Sequence, residues 1–297
     1  MTKQAFDTRL KQNIRLIEDT IAQLLPDGTE DAQKTLLAAM KHSLSAGGKR
    51  IRPMLALEFC RLCGGTDEQV LPAACALELL HTATLIHDDM PEMDNDDMRR
   101  GKPACHIAFD QSTALLAGDT LFLLPFEWIA AAPHIDAETK VALSLELAKA
   151  AGYYGACGGQ QIDLENESRD DVTVEQLKQM YACKTGALII CACRMGCIAA
   201  GADADTLETA TQYAALLGLA FQIVDDILDV ISTEEELGKP IGSDAVQNKN
   251  TFVSLYGLEK AQHEAADLTN QALALLEKLP HAEFLTGLTN LLLCRKS

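Results

Sequence analysis

The sequence predicts an all-α protein, and three observations carry that expectation. Ala and Leu abound in a chain that is 48% hydrophobic but only 5% aromatic. The alternation of β-branched residues that marks a half-buried strand is hard to find. Gly and Pro fall in short clusters, and between them lie stretches of roughly 15 to 30 residues with helical character. The 297 residues are enough to bury a sizeable core. No linker, repeat or low-complexity segment divides them, so residues 1–297 are expected to form a single all-α domain.

The elements follow from the punctuation. The start, "MTKQAFDTRLKQNIRLIEDTIAQLL", is charged throughout and reads as an amphipathic helix rather than an apolar export signal. "PDGTED" near residue 26 ends it, and "SAGGKRIRP" at 45–53 breaks the chain again before a helix that begins near Pro53. After "CGGTDEQ" at 63, "LPAACALELLHTATLIHDD" predicts a helix opened by Pro72 and ended by Pro91, which lacks a donor and clashes with the preceding turn. "APHIDAE" at 132 separates further helices. In "DVTVEQL", Thr173 with Gln176 three residues on forms a capping box. Gly186, beside Lys184 and Thr185 in the apolar "YACKTGALII", invites a kink. "ELGKPIGSD" at 236 is a further Gly and Pro break.

A formal net charge of −18 argues against nucleic acid and anionic membranes as partners, because both need basic surface. The longest apolar runs fall short of the ~20 residues of a spanning helix, and one carries Arg194, so no stable membrane insertion is expected. Ten cysteines include Cys60 and Cys63 as C-x-x-C and Cys191, Cys193 and Cys197 inside an apolar run. That placement suits small hydrophobes better than a zinc site, so the thiols are expected to be reduced and the protein cytoplasmic. Cys294 is fourth from the end, but Arg295 and Lys296 are not the aliphatic pair prenylation requires.

Two acidic clusters carry chemistry. In "IHDDMPEMDNDDMRRGKP" six carboxylates, Asp88, Asp89, Glu92, Asp94, Asp96 and Asp97, occupy ten positions before Arg99, Arg100 and Lys102. Such a stretch is either a solvated loop or a cation site. An EF-hand is excluded by the missing turn Gly and the missing acid at loop position twelve. His81 shares a helix face with Asp88, and Asp94, beyond Pro91, is free to fold back towards it. In the second cluster, Gln222, Asp225, Asp226 and Asp229 fall at i, i+3, i+4 and i+7 of an otherwise greasy helix. Buried carboxylates of that kind must meet a cavity, a metal or basic partners. "SAGGKRIRP" reads as a phosphate site, with Lys49, Arg50 and Arg52 after two glycines, or as an ordinary solvated turn. Lys184 and Thr185 at the kink would put freed carbonyls beside a developing positive charge, or else Lys184 simply snorkels. Together the clusters suggest Mg²⁺ held by hard oxygen ligands and neutralising a diphosphate leaving group. An acidic protein can thereby bind an anion.

The ordered set of motifs resembles the trans-isoprenyl diphosphate synthases, in particular their short-chain bacterial farnesyl/geranylgeranyl type. "DDMPEMD" is similar to the family's DDxxxxD motif and "DDILD" to its DDxxD motif. "GGKRIRP", "RRGKP", "GGQQIDL", "KTG" and "GKPIGSD" fall in the family's order, over residues 40 to 256. The resemblance implies an isoprenoid-synthase-type helical bundle around a central cavity, with the aspartate motifs facing across its mouth. It implies three Mg²⁺ ions, with Asp88 and Asp94 as ligands on one wall and Asp225 on the other, assisted by Asp229 through water. Asp89 and Asp226 are implied to support these ligands. Arg99, Lys184 and Lys239, and more weakly Lys249, are implied to contact the allylic diphosphate. Lys49, Arg52, His81 and Arg100 are implied to hold isopentenyl diphosphate without metal. The Lys184 carbonyl, the Thr185 hydroxyl and the Gln222 amide are implied to stabilise the allylic cation. A homodimer is a further family expectation.

The family's floor to the chain pocket lies four and five residues before the first Asp, here Thr84 and Ala83. The comparable bacterial farnesyl enzymes carry an aromatic at the position of Ala83. The small residue therefore leaves a C20 product open beside the C15 product that Pro91 and the longer first motif favour. A class I terpene cyclase would usually lack the second DDxxD and the GGKR site. A non-catalytic synthase-like subunit would have lost an aspartate or the Lys-Thr pair, and neither is lost. A generic acidic Mg²⁺- or Ca²⁺-binding protein would need neither the basic residues nor the apolar cavity.

Overall fold

The computed structural model describes residues 1–28, 30–167, 169–231 and 250–293. Lys239, Lys249 and "GKPIGSD" lie outside the described residues. Helices dominate, as the composition predicts. α1 (Lys3–Leu24) and α2 (Lys34–Leu44) lead to α3 (Ile51–Leu62) and α4 (Asp67–Asp88). A two-residue antiparallel hairpin, β1 (Met98–Arg99) with β2 (Lys102–Pro103), precedes α5 (Cys105–Ala108), α6 (Gln111–Ala131), α7 (Ala137–Ala151) and α8 (Ala156–Glu167). α9 (Val174–Tyr181) runs through a π-helical turn at Ala182–Gly186 into α10 (Ala187–Ala199), and α11 (Ala204–Ile231) follows. α12 (Phe252–Tyr256), α13 (Leu258–Leu276) and α14 (Glu283–Leu293) close the described chain.

The core runs through α3, α4, α10 and α11, whose buried residues include Phe59, Leu79, Met195 and Tyr213. α4 begins five residues before Pro72. Thr66 is its N-cap, and the Gln69 side chain accepts from the Thr66 amide at 2.8 Å. The capping box thus outweighs the proline, which is tolerated inside the helix. At the other end α4 stops at Asp88, three residues before Pro91. The Thr173–Gln176 box starts α9 as predicted. The kink at Gly186 is a π turn, in which one extra residue per turn redirects backbone carbonyls.

The expected shortfall in apolar length needs correction. Asp67–Asp88, Gln111–Ala131 and Val174–Ala199 are each long and apolar enough to cross a membrane. Their few polar residues, His81, Asp119, Lys184 and Arg194 among them, interrupt the runs without lowering the mean hydropathy far. Most of the apolar stretch of α4 is buried inside the protein, whereas less than half of that of α6 is.

Candidate active site

The mouth of the site is built where α4 ends. Beyond Asp88 the chain turns back, and the Asp94 amide donates to the Asp88 carbonyl at 2.9 Å. Asn95 completes the turn with φ 52°. Asp88 and Asp94 are therefore brought together, as the spacing suggested. Burial, reinforced by the neighbouring carboxylates and opposed by Lys184 and Arg99, pushes the Asp88 carboxyl up to about 6. Asp89 points elsewhere: Arg99 donates its Nε to it at 2.8 Å and a terminal nitrogen as well, and also reaches Asp96 at 3.3 Å. Arg99 is thus engaged with carboxylates here, while also lying near enough to Asp88 to feel its charge.

The hairpin braces the glycine loop. Arg100, with φ 52°, donates to the Gly47 carbonyl, and Lys102 donates to the Ser45 carbonyl at 2.9 Å. Gly48 has φ +140°, and a Cβ there would come within 2.7 Å of the Arg100 guanidinium, so this contact requires glycine. Lys49 is exposed at the end of the loop. Arg52 and His81 border one cavity of about 270 Å³. The Nε of Arg52 is shielded from solvent and has no protein partner. Burial lowers Arg52 to about 10. Burial and the cations Arg52, Arg100, Arg50 and Arg99 hold His81 well below its ordinary value, hence neutral. A desolvated cationic cluster with an unpaired guanidinium nitrogen is an anion site.

The far wall comes from the π turn and α11. Thr185 donates its hydroxyl to the Gln222 side-chain oxygen at 3.0 Å, and Lys184 and Thr185 line the same cavity as Asp88 and His81. Lys184 donates to Asp163 on α8 at 2.5 Å. Burial acts to lower the Lys184 pKa, but Asp163, Asp88 and Asp94 outweigh it and the net shift is upward, keeping the ammonium charged. A Cβ on Gly159 would sit 2.2 Å from the Lys184 amide, so a side chain there would push α8 off the π turn. On α11, Asp225 is half-buried, and Asp226 and Asp229 are buried. Asp226 accepts from the Tyr181 hydroxyl at 2.5 Å, the Phe252 amide at 2.8 Å and the Gln222 amide at 3.4 Å. Asp225 is close enough to Arg52 to raise its pKa, so the second acidic motif faces the same basic cluster.

Thr84 lines the cavity, but Ala83 is fully buried in the core and does not. Phe122 of α6 and Leu188 of α10 also line it. Several residues of the site were not singled out from sequence: Gln160, Asp163, Tyr181 and Phe122. Gln160 borders the cavity, and both polar atoms of its side chain are buried without a protein partner. Gln160 and Asp163 both lie within "GGQQIDL", so that motif was the available signal. A larger open groove of about 720 Å³ beside α1 contains none of the predicted residues.

Among the described residues no three His, Cys, Asp or Glu side chains converge closely enough to hold an ion unaided. That fits Mg²⁺, which usually takes one or two carboxylates and completes its shell with water and substrate phosphates. The raised Asp88 carboxyl is a donor whose charge a cation would stabilise.

A cavity lined by Asp88 of the first acidic motif, by Arg52 and His81 and by the Lys184–Thr185 turn, with Asp225 of the second motif near enough to act on Arg52, suits a short-chain trans-prenyltransferase. The chain belongs to the polyprenyl synthetase family, whose model matches residues 33–282 and whose members generally use Mg²⁺. It is 44% identical over 266 residues to a geranylgeranyl diphosphate synthase of Cyanophora paradoxa, covering 89% of this chain and 88% of that one. It is 42% identical over 273 residues to the farnesyl diphosphate synthase of Haemophilus influenzae, covering 91% and 92%. Among solved structures, a FPP/GFPP synthase of Zymomonas mobilis superposes with a TM-score of 0.87 at 35% identity, over 98% of this chain and all of that one. A geranyltransferase of Legionella pneumophila gives 0.88 at 33%, over 99% and 98%.

Proposed function

We propose that the protein makes farnesyl diphosphate, condensing isopentenyl diphosphate head-to-tail with dimethylallyl and then geranyl diphosphate. The observation that carries this is a largely apolar cavity bordered by Asp88, His81, Arg52, Lys184 and Thr185, which supports reading Arg52 and His81 as contacts of one diphosphate and Asp88, Lys184 and Thr185 as neighbours of the other. Mg²⁺ bound there, three ions with substrate present, supplies charge neutralisation that makes diphosphate a good leaving group. Asp88, Asp94, Asp225 and Asp229 would hold it. Lys184 and Arg99 add positive charge at the allylic diphosphate, and Lys239 and Lys249 are proposed to share that task. Loss of diphosphate leaves an allylic cation facing the Lys184 carbonyl, the Thr185 hydroxyl and the Gln222 amide. Lys49, Arg52, His81 and Arg100 orient isopentenyl diphosphate so that its double bond attacks that cation. The departing diphosphate takes the final proton, so no side-chain base is required.

The second reading is a C20 product, favoured by the similarity to a geranylgeranyl enzyme. The chain is proposed to act as one domain, in the cytoplasm and as a homodimer. The support for a dimer is the apolar face of α6 and α7, where Leu116, Leu123, Val141 and Leu145 are all exposed. An assay with Mg²⁺, isopentenyl diphosphate and radiolabelled dimethylallyl or geranyl diphosphate, resolved by chain length, tests the proposal. EDTA and Asp225→Ala should both abolish the product. No condensation with any primer, from folded protein, overturns the reading.

A further inference from the structure

Arg50 stands between two residues proposed to bind isopentenyl diphosphate, yet it does not border the cavity. Its side chain is buried, as is that of Glu78, and it donates to Glu78 at 2.8 Å and to the Leu44 carbonyl at 2.7 Å. Its Nε lies 3.5 Å from Glu18. One guanidinium therefore ties together α1, the end of α2, the start of α3 and the middle of α4. The backbone at Arg50 is left-handed, with φ 48° and ψ 39°, a conformation that a non-glycine residue keeps only when its surroundings impose it. Here the surroundings are the buried pair itself. Arg50 is also the N-cap of α3, and its carbonyl accepts from the Met54 amide at 3.1 Å.

The geometry separates three basic side chains within four residues. Lys49 is exposed, Arg50 is turned into the protein, and Arg52 lines the cavity. Glu78 lies one turn before His81 on α4, and its charge reaches Arg52 and Arg100 as well. The same carboxylate therefore registers α3 against α4 at the place where their cavity-lining residues, Arg52 and His81, must converge on one ligand.

We propose that Arg50 is a positioning residue, whose buried pairing with Glu78 aims Lys49 and Arg52 at the diphosphate of isopentenyl diphosphate. This inference rests on the assignment of that subsite above. A lysine at position 50 would keep the charge but could not engage Glu78 and the Leu44 carbonyl together with a planar fork.

The test is steady-state kinetics of the full chain with Mg²⁺, varying each substrate while the other is saturating, on Arg50→Gln, Arg50→Lys, Glu78→Gln and Lys49→Ala. Arg50→Gln should raise KM for isopentenyl diphosphate about tenfold or more, with kcat and the allylic KM within about twofold, because misaimed groups lose binding to one substrate alone. Arg50→Lys should fall between it and the parent. Should Arg50→Gln fail to fold, Glu78→Gln, which keeps the shape of the pair, is expected to show the same selective rise. Folded variants with an unchanged KM for isopentenyl diphosphate, or with equal rises for both substrates, overturn the inference. A Lys49→Ala effect beside silent Arg50 variants overturns it alone. A parent enzyme that forms no prenyl product overturns the reading of the site and the inference with it.

Discussion

The Tyr181 hydroxyl donates to the Asp226 carboxylate at 2.5 Å, linking the residue just before the π turn to the second acidic motif. The Phe252 amide adds a second donor to the same oxygen at 2.8 Å. Asp226 is therefore a strut: it ties α9, α11 and α12 together, while its neighbour Asp225 is left half-buried on the site side. Tyr181→Phe removes one donor from a buried carboxylate and should cost about 1–3 kcal/mol in urea unfolding. Activity should persist in the folded fraction. Asp225→Asn should instead abolish activity with little effect on unfolding. Equal stability losses in both variants would contradict this division of roles.

Lys184 is held by Asp163 at 2.5 Å and also feels Asp88 and Asp94. Its charge is thus preorganised beside the acidic mouth, as stabilisation of a departing diphosphate needs. Lys184→Ala should lower kcat by about 10²–10³-fold, the usual cost of removing one such donor. Asp163→Asn leaves the ammonium in place but loosely aimed, and should lower kcat by only about tenfold. Single-turnover product formation with geranyl diphosphate measures both. A larger loss for Asp163→Asn than for Lys184→Ala would show that Asp163 acts by some route other than through the lysine.

Much of this site was legible in the sequence because its signals are local. Asp94 folds back on Asp88 because Pro91 prevents helix continuation, and Gly186 beside Lys184 marks the π turn. What was not legible depends on partners distant in sequence. Nothing near Asp226 announces that Tyr181 and the Phe252 amide satisfy it, and nothing near Arg50 announces Glu78, 28 residues on. Likewise, which of Ala83 and Thr84 borders the cavity depends on how α4 is rotated against its neighbours. The rotation puts one residue in the cavity and the other in the core.

His81 is neutral in the folded protein because burial and four arginines hold its pKa well below the ordinary 6.5. The sign follows from linkage. As pH falls through 6.5 the unfolded chain takes up a proton that the folded one refuses, so stability is present above 6.5 and lost below it, until the folded pKa is reached. His81→Gln removes this proton from both states. In urea unfolding between pH 7.5 and 5, the parent should therefore lose stability more steeply than the variant as pH drops. Parallel curves would mean that His81 titrates normally and that the cationic cluster does not act on it.

Product length turns on which residues end the cavity. Phe122 lines it and packs on His87, with ring centroids 5.5 Å apart. The His87 ring is itself fixed over Gly118, where an added Cβ would come within 2.1 Å of it. The Phe122 ring thus has a packed backing, and as the proposed stop to the growing chain it would be held in place. Phe122→Ala should lengthen the product, converting a C15 band largely to C20 in the radiolabel assay, and Thr84→Phe, facing the same space, should shorten it. Ala83→Tyr should behave differently, because Ala83 lies in the packed core. An aromatic there overpacks the core and should cost about 1–3 kcal/mol or more, read by urea unfolding. If Ala83→Tyr instead folds with parent stability and shortens the product, while Phe122→Ala leaves it unchanged, the stop is on α4 and not on α6.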